Sequence, residues 1–149
     1  MSSQETPRLT VAAIVAQGTR FLFVEEYVGG HSVLNQPAGH VDIGESVIRS
    51  VIRETLEESA CEVTPLALVG IYQLVLPHAH FVRLAFECEF VRFHPERKLD
   101  TPILRTHWLN RDELIGHPLP HRSPLVLQTL DDHLAGRSFP LEMIGELVR

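Results

Sequence analysis

With 149 residues, 44% of them hydrophobic, the chain is long enough to bury one full core and too apolar to stay disordered. A net charge of −6, with no lysine–arginine stripe and no aromatic ladder, excludes an ordinary binder of nucleic-acid polymers. No apolar run approaches the roughly 18 residues of a membrane helix, and Met1-Ser-Ser-Gln-Glu-Thr-Pro7 lacks the basic and apolar regions of a signal peptide, so the cytoplasm is the expected location.

Residues 1–7 are expected to be flexible, in a chain that otherwise reads as one domain over 1–149. Residue preferences predict a strand over 8–16, a turn at Gln17-Gly18 and a second strand over 19–24. Gly29-Gly30 marks a loop, then a short strand over 32–34 leads into a longer loop over 35–44. Helical spacing predicts a helix over 45–59. Two long strands follow over 66–76 and 81–93, joined by Pro77-His78-Ala79-His80. A polar connection over 97–102 leads to a strand over 103–109 and a helical turn over 111–115. After a loop rich in Pro and His over 116–122, Ser123 caps a helix whose first position is Pro124, and Gly136 stops it. Cys61 and Cys88 show neither metal spacing nor a disulfide framework and read as small buried hydrophobes. Strands, a central helix, more strands and a late helix make an α/β sandwich the expected class.

The chemistry concentrates in residues 39–61. Val47, Ile48, Val51, Ile52 and Thr55 share one helical face, which should pack on a sheet. Steps of three and four residues set Glu54 beside Glu57 and Glu58, and Arg53 beside Glu57. Like charges at this spacing destabilise a helix by roughly 0.2–0.5 kcal/mol per pair. A hard divalent cation turns that repulsion into binding. Ser46 or Glu45 serves the first turn, where acceptors and negative charge are favoured. Taken alone, Arg-Glu-x-x-Glu-Glu is usually a solvated acidic face. The glycine loop in front, with Glu45 and Arg53 at fixed offsets, changes that balance.

Gly39, Glu45, Arg53, Glu54, Glu57 and Glu58 fit, in register, the pattern Gly-x5-Glu-x7-Arg-Glu-U-x-Glu-Glu-x-Gly-U, where U is a bulky aliphatic residue. On these residues the chain resembles the Nudix hydrolase family. It departs at Thr55, Ala60 and Cys61, where the pattern has an aliphatic residue, a glycine and an aliphatic residue. Ala60 bears on the turn that closes the helix, since glycine is favoured there for its positive φ. Asn35-Gln-Pro-Ala-Gly-His40, Arg122-Ser-Pro-Leu-Val126 and Pro140-Leu-Glu-Met-Ile-Gly145 resemble the NudJ phosphatase branch. That branch acts on nucleoside tri- and diphosphates and on hydroxymethylpyrimidine diphosphate, a thiamine precursor.

The resemblance implies a Nudix-like α/β/α sandwich with a mixed sheet. It also implies hydrolysis of a phosphoanhydride bond, with magnesium or manganese as cofactor. The metal ligands implied are Glu54, Glu57, Glu58 and the backbone carbonyl of Gly39. Together with Arg53 these glutamates form the catalytic set, and Glu57 is one candidate general base. Glu45 is implied as the ion-pair partner of Arg53, holding loop to helix. From residue type, Asn35 and Gln36 are candidates to read a base or ribose edge, His40 to line the site and Arg122 to clamp phosphate. His78 and His80 are weaker candidates, because such a pair in a turn is usually solvated. Phe81 and Trp108 offer rings for stacking, although core packing is the commoner fate. The expected partner is a small nucleotide or phosphate ester, not a nucleic-acid polymer or a membrane, bound by a monomer or homodimer. Two other readings stand beside this one. A pyrophosphatase of ADP-ribose or another nucleoside-diphosphate-X is suggested by Pro77. A non-catalytic Nudix-fold nucleotide sensor is disfavoured by the intact acidic residues.

Overall fold

Residues 6–147 are described in the computed structural model. The stretch expected to be flexible, residues 1–7, falls mostly outside that range. In chain order the elements are β1 (Arg8–Gln17), β2 (Arg20–Val28), β3 (His31–Asn35), β4 (Ala38–His40), α1 (Val47–Ser59), β5 (Cys61–Val75), β6 (His80–Phe93), β7 (Ile103–Leu109), α2 (Arg111–Ile115), α3 (Leu125–Leu134) and β8 (Phe139–Pro140). The strands form one mixed sheet in the order β3-β2-β1-β6-β5-β8, with β4 added to β1 and β7 to β2. β1 runs parallel to β6, whereas β5 and β6 are antiparallel. Helices cover both faces, giving the α/β/α sandwich.

Thr10 to Val15 of β1 are buried at every position. The reason is that both faces of the sheet are covered, so alternate residues enter different cores. Val11, Ala13 and Val15 join Phe86 and Cys88 against Val47, Ile48 and Val51 of α1. Ile14 joins Phe23, Leu34 and Ala85 against Val126 and Leu130 of α3.

The sheet forks at β1. That strand holds β2 only through Ala16↔Phe21 and Gln17↔Arg20. Its first half turns instead to β4, through Thr10↔His40, Val11↔Gly39 and Ala12↔Ala38. β2, β3 and β7 therefore diverge from β1, and a cavity opens into the fork.

Several boundaries differ from the sequence-based expectation. The loop predicted over 35–44 contains β4, whose residues have little strand preference and are held by pairing with β1. β5 starts at Cys61, well before residue 66, because register shifts between Glu62 and Val63, Pro65 and Ala67, and Leu68 and Gly70 accommodate Pro65 within a strand. β2 continues to Val28 rather than ending near residue 24. β8 and a 3-10 turn over Leu141–Met143 follow Gly136, where no element was predicted. The acidic helix begins at Val47, with Ser46 as its cap accepting from the Arg49 amide. Ala60 takes the left-handed C-cap position at φ 60°, the conformation for which glycine is favoured. The last helix starts at Leu125, and the Ser123 hydroxyl accepts from the Leu125 amide at 3.2 Å. Cys61 and Cys88 are buried and free. Among the described residues no helix is long and apolar enough to cross a membrane.

Candidate active site

Arg53 is the hub of the acidic helix. Its Nε donates to Glu45 Oε2 at 2.7 Å and its Nη2 to Glu45 Oε1 at 3.0 Å, a two-pronged pair. Nη1 donates to Glu54 Oε1 and to Glu57 Oε2, both at 3.0 Å. Nη2 also reaches the His40 carbonyl at 3.1 Å and lies 3.4 Å from Asp42 Oδ2. One guanidinium thus ties the 40–45 loop to α1 and fixes two of the three glutamates. The hydrogen bonds from Arg53 hold the Glu45 carboxyl well below the usual range, at about 2.

Glu58 points the other way, and its Oε1 accepts from the Ala38 amide at 2.9 Å. Burial pushes the Glu58 carboxyl up to about 8; the Ala38 hydrogen bond opposes this and the Glu54 charge adds to it. Burial likewise raises Glu54, against the pull of Arg53. Gly39 lies directly against Glu54: a Cβ there would sit 2.1 Å from the Glu54 carboxyl carbon. Only glycine permits β4 and α1 to approach this closely.

Among the described residues, no three of His, Cys, Asp and Glu converge as a ready metal cage. The cause is visible in the contacts, since Glu54 and Glu57 are turned to Arg53 and Glu58 to Ala38. The donor chemistry nevertheless suits a hard cation. Three carboxylates and a backbone loop lie together, two of the carboxylates resist ionisation, and a positive ion would relieve both.

These groups open into a cavity of about 380 Å³ in the fork of the sheet. Gly39, His40, Glu54, Glu57 and Glu58 line one side, and Asn35 and Arg122 also line it. Arg122 stands on the loop before α3 and pairs with Glu26 at 3.6 Å. Gln36 is not brought to the cavity. It is fully buried and its Nε2 donates to the Val126 carbonyl at 2.7 Å, so the expectation that it reads a base edge is replaced by a bracing contact to α3. His78 is exposed outside the cavity, and His80 begins β6 without lining it. Trp108 packs edge-on against Phe90 in the core on the α1 side. Phe81 lines the cavity, with Arg8 stacked 5.4 Å from its ring.

Four charged lining residues were not singled out from the sequence: Glu26, Asp42, Arg83 and Asp100. Asp100 is set by its own amide, which donates to the Glu57 carbonyl at the end of α1. Arg83 had a signal: a lone charge inside the apolar run Phe81-Val-Arg-Leu-Ala-Phe86, where a central strand buries both faces.

Comparison with known proteins adds an independent line. Residues 6–129 match the NUDIX domain family. Phosphatase NudJ of Escherichia coli (strain K12) is 33% identical over 141 residues, 94% of this chain and 92% of that protein. A NUDIX hydrolase from Nitrosomonas europaea superposes with a TM-score of 0.92 at 40% identity, covering 95% of this chain and 98% of that one. An ADP-ribose pyrophosphatase from Streptococcus suis shares the fold, with a TM-score of 0.66 at 19% identity over 90% of this chain and 96% of that one.

Proposed function

The chain belongs to the Nudix hydrolase family, and from that membership we propose that it hydrolyses a phosphoanhydride bond in a nucleoside tri- or diphosphate, or in a related pyrophosphate monoester such as hydroxymethylpyrimidine diphosphate. The observation that carries this reading is the set Glu54 and Glu57, locked by Arg53, with Glu58 held by the Ala38 amide, all three lining a cavity of about 380 Å³ beside the Gly39 loop. The similarity to Phosphatase NudJ over 94% of the chain favours a terminal phosphate as the leaving or transferred group. Pro77 is exposed and outside the cavity, so it lends no weight to the ADP-ribose reading.

In the proposed reaction water attacks phosphorus, the anhydride P–O bond breaks, and phosphate departs with the electron pair. Glu54, Glu57, Glu58 and the Gly39 carbonyl would hold a divalent cation, magnesium or manganese. When bound, that ion neutralises phosphoryl charge and acidifies water. The chain's own residues supply placement. Arg53 fixes the rotamers of Glu54 and Glu57, so that little reorganisation is needed during reaction. Glu57 is the more open of that pair, with 29% side-chain exposure against 14% for Glu54, and takes the proton of the attacking water. Arg122 meets the phosphate chain from the loop before α3.

The test is product analysis with magnesium on GTP, GDP, ADP-ribose and hydroxymethylpyrimidine diphosphate, alongside Glu57→Gln. Orthophosphate from the nucleotides and the pyrimidine diphosphate is the expected product, with turnover in the variant down by roughly 10²–10³-fold. Full turnover by Glu57→Gln sinks the mechanism. Cleavage of ADP-ribose alone overturns the substrate class. Tight binding without any product points to a sensor.

A further inference from the structure

We infer that Arg83 binds the substrate's phosphate chain, its guanidinium receiving phosphoryl oxygens on the cavity wall formed by the central strands. The inference rests on the hydrolase reading and adds a residue to it. Arg83 stands on β6, between Thr10 of β1 and Tyr72 of β5, so sheet lies on either side of it. It lines the same cavity as the α1 glutamates and is only 8% exposed.

Its Nη1 is buried with no hydrogen-bond partner. Among the described residues its side chain makes no ion pair or hydrogen bond at all. A buried cation in that condition is strongly unfavourable. The nearby anions are already engaged: Glu26 accepts from Asn35 Nδ2 at 3.3 Å and faces Arg122 at 3.6 Å, while Glu58 accepts from Ala38. Burial lowers the guanidinium to about 10, with Glu26 and Glu58 favouring its charge and Arg122 opposing it, so it stays positive at neutral pH.

The missing partner is therefore an anion that enters the cavity. A neutral base or sugar edge would satisfy the N–H groups and leave the charge uncompensated. A phosphoryl group satisfies both, because its oxygens match the guanidinium fork. Arg122 lines the same cavity and reaches the same chain from the loop before α3.

The experiment measures binding of methylenebisphosphonate, a non-hydrolysable pyrophosphate analogue, by calorimetry in magnesium. It compares the wild type with Arg83→Met and Arg83→Lys, and records the ligand-free Tm of each. Arg83→Met should weaken binding by roughly tenfold or more, with Tm equal to or above that of the wild type, because an unpaired buried cation is gone. Arg83→Lys should bind in between, keeping the charge but losing the fork. Affinity within threefold of wild type in Arg83→Met overturns the inference. If that variant fails to fold, wild-type affinity in Arg83→Lys does the same. A wild type that does not bind the probe also overturns it. A wild type that binds the probe yet hydrolyses nothing removes the hydrolase reading and leaves the anion site standing.

Discussion

Replacing Glu45 with glutamine removes the charge from the strut that joins the glycine loop to α1. Arg53 donates to both Glu45 oxygens, at 2.7 and 3.0 Å, and the Asp42 amide donates to one of them at 3.2 Å. These contacts depress the Glu45 carboxyl from 4.5 to about 2. At about 1.36 kcal/mol per pKa unit the full shift corresponds to about 3.4 kcal/mol. Side-chain exposures of 17% for Glu45 and 27% for Arg53 bring water into the pair. The expected loss on Glu45→Gln is accordingly well below that figure, about 1 kcal/mol at pH 7. The sign follows from the direction of the shift. A depressed carboxyl contributes fully above its unfolded value of 4.5 and loses that contribution as pH falls through about 2. Urea unfolding of both proteins at pH 7 and pH 3 measures the gap, of which about two fifths should remain at pH 3. A gap under about 0.5 kcal/mol at pH 7, or one that does not shrink at pH 3, would refute the reasoning.

Other substitutions separate function from stability. Gly39→Ala places a Cβ 2.1 Å from the Glu54 carboxyl carbon, so Glu54 must leave Arg53 Nη1. We expect kcat/KM to fall by roughly 10²-fold, as ångström-scale misplacement does, with Tm nearly unchanged; unaltered kinetics would contradict this. Gln36→Ala removes a fully buried amide that donates to the Val126 carbonyl. Denaturation should show a loss of about 2–4 kcal/mol with KM unchanged, and the reverse pattern would return Gln36 to the substrate. Tyr72→Phe deletes the 2.7 Å hydrogen bond to Asp132 that ties β5 to α3. A fall of about 2–5 °C in Tm with normal turnover is expected, and an unchanged Tm would show the bond to be worth nothing.

The half of the site built on α1 was legible because its geometry is local. Residues 53, 54 and 57 meet through helical periodicity alone, with Glu58 on the next position of the same helix, and Ser46 and Ala60 cap its ends. The other half depends on contacts remote in sequence. Gly39 reaches Glu54 because β4 pairs with Val11 of β1, a partnership that no short window of Ala38-Gly39-His40 announces. Gln36 illustrates the opposite error: it neighbours Asn35 in sequence, but successive residues there face different ways, one into the cavity and one toward α3.

Arg83 shows why topology decides the chemistry. In sequence it is one charge in an apolar strand, 25 residues beyond the last box glutamate by simple numbering. The fork at β1 is what sets it in the same cavity as Glu58. Opposite charges are kept in one cavity without collapsing onto each other, because the glutamates are held by Arg53 and Ala38, and Glu26 by Asn35 and Arg122. A phosphate chain entering with a cation would satisfy both sides at once, the carboxylates through the metal and the guanidinium directly.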